Sequence, residues 1–479
     1  MSEIIKTDLC IIGAGSGGLS VAAGAAQMGV STVLIERGKM GGDCLNYGCV
    51  PSKALIAAGK TAHSFRTATK FGVHATEPEI DFAAVKDHVA DVIAGIAPHD
   101  SVERFEGLGV NVILGEGRFL DGKTVQVGDQ KITARRFVIA TGSRPMTLPI
   151  PGLDETPHHT NETIFEDKTK PDHLIVIGGG PIGMEMAQAH RRLGVQVTVL
   201  ERFGPLGKDD PELTQTVLDA LSAEGIKIMG NTAIERVAQA ADGGVEVYIK
   251  DAEGDESTAR IVSGSHLLVA AGRTPNIETL NLEAAGIEYT NRGIQVDARL
   301  RTSNKKIFAI GDCSGGLQFT HVAGYEAGVV IQNALFRIPA KAKREATPWV
   351  TFTDPELAHV GMTEASAQET HGDKVKVLKW EYAENDRARA ERATDGLVKV
   401  VLHKNKIIGA SIVGKQAGEL LQPWIIAVDQ GMKIRAMTSF IAPYPTLGEI
   451  NKRAAGSAYT ETLFSPRTKK IVKFLSHFG

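Results

Sequence analysis

Asp8-Leu9-Cys10-Ile11-Ile12-Gly13-Ala14-Gly15-Ser16-Gly17-Gly18 reads as a short apolar strand running straight into Gly-x-Gly-x-x-Gly, followed by a small-residue helix. A second strand, Ser31 to Ile35, then ends at Glu36. The same order of parts returns 165 positions later. Leu174 to Ile177 leads into Gly178, Gly180 and Gly183, a helix runs through Leu193, and the strand Val195 to Leu200 ends at Glu201. In both copies the acid falls 23 residues after the first glycine. The first glycine permits a tight turn, the second lets backbone approach a pyrophosphate at a helix N-terminus, and the third lets helix pack on strand. The closing carboxylate can hold an adenosine ribose through its hydroxyls. A single fingerprint of this kind is weak evidence, but its strand and helix context is present twice. Two dinucleotide sites are therefore expected.

The rest of the composition narrows the class. At 479 residues the chain is long enough for about three domains. Hydrophobic residues at 43% and charged residues at 23% exclude disordered and fibrous classes. A net charge of −3 gives no global field to draw nucleic acid or an anionic membrane. Four cysteines cannot form a disulfide framework in a chain this size. Met1 to Asp8 lacks the features of a signal peptide, and no apolar stretch approaches the roughly 20 residues that span a bilayer. The cytoplasm is the expected location, with no membrane span and no nucleic-acid partner.

Further strands at Arg136 to Ala140 and Leu267 to Ala270 each run into a glycine turn, Thr141-Gly142 and Ala271-Gly272-Arg273, and would close the two nucleotide units. Pro145 to Pro171 carries several prolines and no clear helical period, which places the first boundary there. The second unit would end near Asn276. From Thr347 the pattern turns β-rich, with runs at Leu397 to Leu402 and Lys406 to Val413, and carries no further glycine fingerprint. The expected fold class is α/β, with two Rossmann-like dinucleotide-binding domains and a C-terminal α+β domain suited to dimerisation.

The sharpest chemistry lies in Gly42-Asp43-Cys44-Leu45-Asn46-Tyr47-Gly48-Cys49-Val50-Pro51-Ser52-Lys53. Five residues of regular α-helix advance about 7.5 Å, beyond the separation that a disulfide tolerates, so a bridge here needs an irregular turn. Gly48 can supply it, and Pro51 suits the first turn of a helix beginning around Cys49. A cysteine at a helix N-terminus has its thiolate favoured by exposed amides, which singles out Cys49. Two buried structural cysteines or half a zinc site are the plain alternatives. Zinc would need further ligands, and none lies near in the sequence. Beside two dinucleotide folds, the pair reads as a redox-active disulfide.

This segment resembles the active-site signature of the pyridine nucleotide-disulfide oxidoreductases, in their dihydrolipoyl dehydrogenase and mercuric reductase branch. The resemblance runs the length of the chain, through both fingerprints, Gly272-Arg273-x-Pro275-Asn276 and Ile310-Gly311-Asp312. It implies an FAD-binding domain over 1–150, completed by about 277–345, an NAD-binding domain over 151–276 and a dimerisation domain over 346–479. FAD would occupy the first site, with Glu36 on its adenosine ribose, Asp312 on its ribityl chain, and Gly42, Thr141 and Gly142 among its contacts. Cys49 would face the flavin, and Cys44 would exchange with substrate. Lys53 and Glu185 would form an ion pair near the flavin. His321 falls where the family places backbone against the flavin, and its side chain reads as structural. Cys313 reads as a packing thiol. A homodimer with a shared active site is implied as well.

Two positions bear on specificity. Glu201 would bond a ribose 2′-hydroxyl and repel a 2′-phosphate, which favours NADH over NADPH, although Arg202 follows directly. Where dihydrolipoyl dehydrogenases carry His-Pro-Thr-x-x-Glu, this chain has Tyr444-Pro445-Thr446-Leu447-Gly448-Glu449. Tyrosine, with a pKa near 10, is a poor base at neutral pH, although it can donate a hydrogen bond or orient an acceptor. Mercuric reductases resemble this chain in having tyrosine there, but they need a C-terminal cysteine pair, and no cysteine follows Cys313. The tail from Phe464 carries Arg467, Lys469, Lys470 and Lys473 and reads as a solvated helix face rather than a membrane anchor. The expected activity is electron transfer from NADH through FAD and the cysteine pair to a disulfide, quinone or metal acceptor. The alternatives are a dihydrolipoyl dehydrogenase with Tyr444 replacing histidine, and a non-catalytic flavin-binding sensor.

Overall fold

The computed structural model describes residues 4–252 and 259–478. In the first unit the strand Ile4–Ile12 lies between Thr32–Glu36 and Gln130–Ile139, parallel to both, and Val110–Leu114 pairs beyond Thr32–Glu36. Strands buried on both faces need apolar runs. Leu9 to Ile12 and Val33 to Ile35 are each at most 3% exposed. The ten-residue strand Gln130–Ile139 serves two partners along one edge: its first half pairs antiparallel with Thr124–Val127, its second half parallel with Ile307–Ala309. A segment nearly 170 residues downstream in sequence thus completes the first sheet.

The second unit repeats the arrangement. Lys227–Met229, Gln196–Leu200, His173–Ile177 and His266–Val269 form a parallel sheet in that order, with a three-stranded antiparallel sheet, Thr232–Gln239, Val245–Asp251 and Arg260–Gly264, beside it. A two-stranded ribbon of Ser143–Pro145 and Arg273–Pro275 ties the units together. Pro145 to Pro171 lacks helical period, as expected, but it is packed rather than free. Leu153 lies in the core beneath the second unit's sheets, and Ile164 and Phe165 are buried against Val176 and Met184.

The C-terminal domain is a five-stranded antiparallel sheet, ordered Pro348–Thr351, Glu356–Gly361, Lys406–Gly414, Leu397–His403, Val375–Glu381. The helix Ala417–Asp429 packs against it with Trp424 fully buried. The Trp424 indole N–H donates to Asn451 Oδ1 at 2.8 Å, so the ring is buried without an unpaired donor. Among the described residues no helix is long and apolar enough to cross a membrane.

Candidate active site

Both fingerprints form the bare turns that their glycines permit. Gly13 has φ +105°, where a Cβ would sit 2.3 Å from the Ala140 carbonyl oxygen, and a Cβ on Gly18 would sit 1.8 Å from that of Gly13. Gly178 and Gly183 repeat this, with φ +112° and a 1.9 Å clash. Glu36 and Glu201 also hold one pose. Glu36 accepts from the amides of Ala14 at 2.6 Å and Gly38 at 2.7 Å, and Glu201 from those of Gly179 at 2.6 Å and Phe203 at 2.9 Å. Each carboxylate therefore braces the glycine turn that precedes it. Arg202 does not join Glu201; its guanidinium lies 5.9 Å from the Phe203 ring.

A cavity of about 880 Å³ runs from Gly15, Ser16 and Gly17 past Cys44, Cys49 and Lys53 to Pro181 and Glu185. It has the volume to take a flavin dinucleotide, and the first glycine turn lines it. A Cβ on Gly42 would come within 2.7 Å of Gly15 Cα, so the two glycine backbones pass in close contact beside it. A smaller cavity at the far side of the turn is lined by Gly13, Glu36, Arg37, Glu116 and Thr141, where the adenosine end would be held. Asp312 and Gly142 line the main cavity. Burial pushes the Asp312 carboxyl up, opposed by the Ser143 hydroxyl that donates to its Oδ2 at 2.5 Å. The residues present thus fit FAD.

Cys44 lies in the short helix Gly42–Asn46, and Cys49 is the first residue of the helix Cys49–Arg66. Gly48 between them makes the irregular turn, with φ −124° and ψ −110°. Both cysteines are free thiols, side by side. The hydrogen bond from Cys44 pulls the Cys49 pKa down to about 6 against the cost of burial, and Thr320 and the Lys53 ammonium add to the effect. Thr320 Oγ1 lies 3.3 Å from Cys49 Sγ. Cys44 is pushed up by the same contact and by burial. The pair is thus polarised, with the thiolate on Cys49.

Lys53 Nζ is 2.8 Å from Glu185 Oε2, and Glu185 is only 5% exposed. The other oxygen of Glu185 accepts the Phe352 amide at 2.9 Å, and Lys53 sits 4.4 Å from the Phe352 ring centroid. Arg273 also reaches this cavity rather than staying by the second fingerprint. Its Nη2 is 3.0 Å from Asp43 Oδ1, and its Nε donates to Ser143 Oγ at 2.7 Å. Gly272, with φ +113°, lets the chain turn toward it. Asn161 donates to Asp43 at 3.1 Å, so the acid next to Cys44 is held from two sides.

Cys44, Cys49, Lys53, Glu185, Gly142, Asp312 and Arg273 therefore share one cavity, and Tyr444 and Glu449 do not. Tyr444 is 68% exposed and donates to Asp386 Oδ2 at 3.1 Å, which pushes its phenol up. Glu449 pairs with Arg453 at 2.8 Å. Glu449 is only 16% exposed, and close to Tyr444 in the chain Phe440 and Ile441 are exposed at 42% and 94%. His321 lines the same cavity, and its Nε2 lies 2.8 Å from the Pro348 carbonyl. Cys313 is buried and its pKa is raised to about 11. Thr320, Asp43, Ser143 and Phe352 were not singled out from the sequence, because their contacts join segments far apart in the chain.

Residues 7–327 match the family described as pyridine nucleotide-disulphide oxidoreductase, and residues 347–455 match its dimerisation domain. A mercuric reductase of Bacillus cereus is 37% identical over 446 residues, covering 92% of this chain and 70% of that protein. A dihydrolipoyl dehydrogenase of Geobacillus stearothermophilus is 37% identical over 460 residues, covering 94% and 96%. Among solved structures, the HOCl-induced flavoprotein disulfide reductase RclA from Escherichia coli superposes with a TM-score of 0.83 at 27% identity, covering 94% of this chain and 99% of that one. These likenesses extend over nearly the whole chain and agree with a polarised thiol pair set between two dinucleotide folds: the chain belongs to the pyridine nucleotide-disulphide oxidoreductase family and is an FAD-dependent enzyme of that kind.

Proposed function

We propose that the enzyme oxidises NADH and delivers the electron pair through Cys44 and Cys49 to a disulfide, quinone or metal acceptor. FAD, when bound in the first unit, supplies the two-electron relay between nicotinamide and cysteines. The observation that carries this reading is the polarised pair itself, because a dithiol with one thiolate at neutral pH is poised for exchange. The balance is NADH, a proton and the enzyme disulfide giving NAD⁺ and the two thiols. With a disulfide acceptor, the thiols then re-form the Cys44–Cys49 bond, and two substrate thiols leave.

In this reading Lys53, held by Glu185, stabilises negative charge beside the pair, and Thr320 keeps the Cys49 thiolate hydrogen-bonded. Glu201 selects NADH, since both its oxygens are fixed by backbone amides where a 2′-phosphate would be repelled. The enzyme works as a homodimer in which the exposed Tyr444 face closes over the cysteines of the other subunit; the family's dimerisation domain at 347–455 supports this. Tyr444 offers a hydrogen bond but no base at neutral pH, so oxidation of dihydrolipoamide is the disfavoured direction.

The test is an anaerobic titration of the FAD-loaded enzyme with NADH and NADPH, followed by a panel of lipoamide, glutathione disulfide, a benzoquinone, Cu(II) and Hg(II). NADH should release two protein thiols per subunit, and at least one acceptor should reoxidise them. If NADH leaves the thiol count unchanged, the reading fails.

A further inference from the structure

The last helix, Pro466–Leu475, packs so lightly on the protein that none of its residues is buried. It is built to stand alone. Ser465 caps it, its Oγ accepting the Thr468 amide at 3.2 Å, and Pro466 occupies the first turn, where a missing N–H costs nothing. At about 100° per residue, Ile471, Val472, Phe474 and Leu475 fall on one side of the helix with Arg467 among them, and Lys469, Lys470 and Lys473 on the other; Phe478, just past the helix end, packs edge-on to Phe474 with ring centroids 5.1 Å apart. The tail is exposed on both sides, as the sequence reading of a solvated helix face has it, and its apolar side is as bare as its basic one. Val472 is 61%, Phe474 62% and Phe478 73% exposed, with Phe464 at 67% just before the helix.

Charge narrows what can cover this apolar face. From Phe464 to Phe478 there are four lysine or arginine residues and no acid, in a chain whose net charge is −3. A second copy of the same helix would bring two cationic segments together, which repel. The segment also lies beyond residue 455, where the match to the dimerisation domain ends. Nucleic acid would satisfy the lysines but leave the phenylalanines in water. An anionic bilayer surface satisfies both sides at once, taking the apolar side chains at the acyl boundary and the ammonium groups among the headgroups. Ten residues of helix measure about 15 Å, half a hydrocarbon core, so the segment lies along the surface rather than across it.

We propose that residues 464–478 form an interfacial anchor that lays this enzyme on a lipid bilayer rich in anionic headgroups. The inference is independent of the acceptor's identity, because it uses no residue of the redox cavity.

The experiment is cosedimentation of the full-length FAD-loaded enzyme with vesicles of phosphatidylcholine alone or of equal parts phosphatidylcholine and phosphatidylglycerol. Binding is expected to the mixed vesicles, little to phosphatidylcholine alone, and a decline as salt is raised. Neutralising Lys469, Lys470 and Lys473 to Gln together should weaken it roughly a hundredfold, at about fivefold per lysine near the surface. Phe474→Glu with Phe478→Glu should abolish it while NADH oxidation and subunit mass in solution stay unchanged; no buried residue is touched, so folding is not at stake. Equal binding to both vesicle types, no binding to either, or indifference to the lysine changes would each overturn the proposal. A loss of the dimer in the double Phe variant would instead assign the face to a second copy, and retention on duplex DNA that survives that variant while vesicle binding is absent would assign the segment to nucleic acid.

Discussion

Lys53 Nζ lies 2.8 Å from Glu185 Oε2 although the residues come from different nucleotide units, Lys53 on the helix Cys49–Arg66 and Glu185 on Pro181–Arg192. Replacing Glu185 with Leu strands both the ammonium and the Phe352 amide. The expected cost is about 1–3 kcal/mol in chemical denaturation, together with slower thiol formation from NADH. Glu185→Gln keeps an acceptor for Phe352 and should lose less stability than Glu185→Leu, while losing a similar share of rate.

The Cys49 thiolate should titrate with a midpoint near pH 6 in the reduced enzyme, read by thiolate absorbance in the ultraviolet. The folded value lies below that of a free thiol, so the thiolate is present above pH 6 and is lost as pH falls through it. Cys44→Ala removes the largest cause of the shift, and Thr320→Val a smaller one. Both should move the midpoint upward, Cys44→Ala by more. A midpoint unchanged in Cys44→Ala would assign the shift to another cause.

Glu201→Ala should narrow the preference for NADH over NADPH in kcat/KM by roughly 10- to 100-fold, the 1.5–3 kcal/mol of a hydrogen bond to a charged group. Glu36→Ala is the matched control: it holds the same pose in the first unit, so it should loosen FAD retention and leave the nicotinamide preference alone.

Tyr444→His should raise turnover of dihydrolipoamide at neutral pH by up to the roughly 10²- to 10⁴-fold that a positioned acid–base group contributes. In the unaltered enzyme that turnover should be low at pH 7 and rise toward alkaline pH. High activity that survives Tyr444→Phe would show that this position does not set the substrate.

His190 is fully buried, and burial pulls its pKa from 6.5 down to about 3; Nδ1 lies 2.8 Å from the Met186 carbonyl, and Nε2 has no hydrogen-bond partner among the described residues. Between pH 6.5 and 3 the unfolded chain therefore binds a proton that the folded one refuses, and stability falls as pH falls through that window. In thermal melts, His190→Leu should flatten this acid slope and change Tm little at pH 8. An acid slope as steep as in the unaltered enzyme would show that other groups set it.

What the sequence made legible follows from how local each signal is. The glycine turns at 13–18 and 178–183 are fixed by backbone geometry that only glycine permits, so their positions could be read directly. The irregular turn at Gly48 and the helix start at Cys49 were legible from the glycine between the cysteines and from Pro51 in the helix's first turn. The Lys53–Glu185 pair spans 132 positions and came from family resemblance, since nothing local links them. The Arg273–Asp43 pair and the Thr320 contact to Cys49 escaped because they arise only when distant segments pack. Glu36 and Glu201 were read from the sequence as ribose ligands, and their bracing of the turns went unread because it depends on backbone amides brought round by the fold. Pro145 to Pro171 was read as a boundary because it lacks period, and packing of Leu153 and Phe165 leaves no trace in periodicity.

Glu185 has a mechanical consequence. Its two oxygens take one partner from the first nucleotide unit, Lys53, and one from the C-terminal domain, Phe352, while its own helix belongs to the second unit. Three bodies are pinned at a single carboxylate, beside the thiols. A rocking motion that parted any two of them would break a bond at the place where charge must be held most steadily. Any opening that lets a cofactor enter or leave must therefore keep these three segments together or break that carboxylate's bonds.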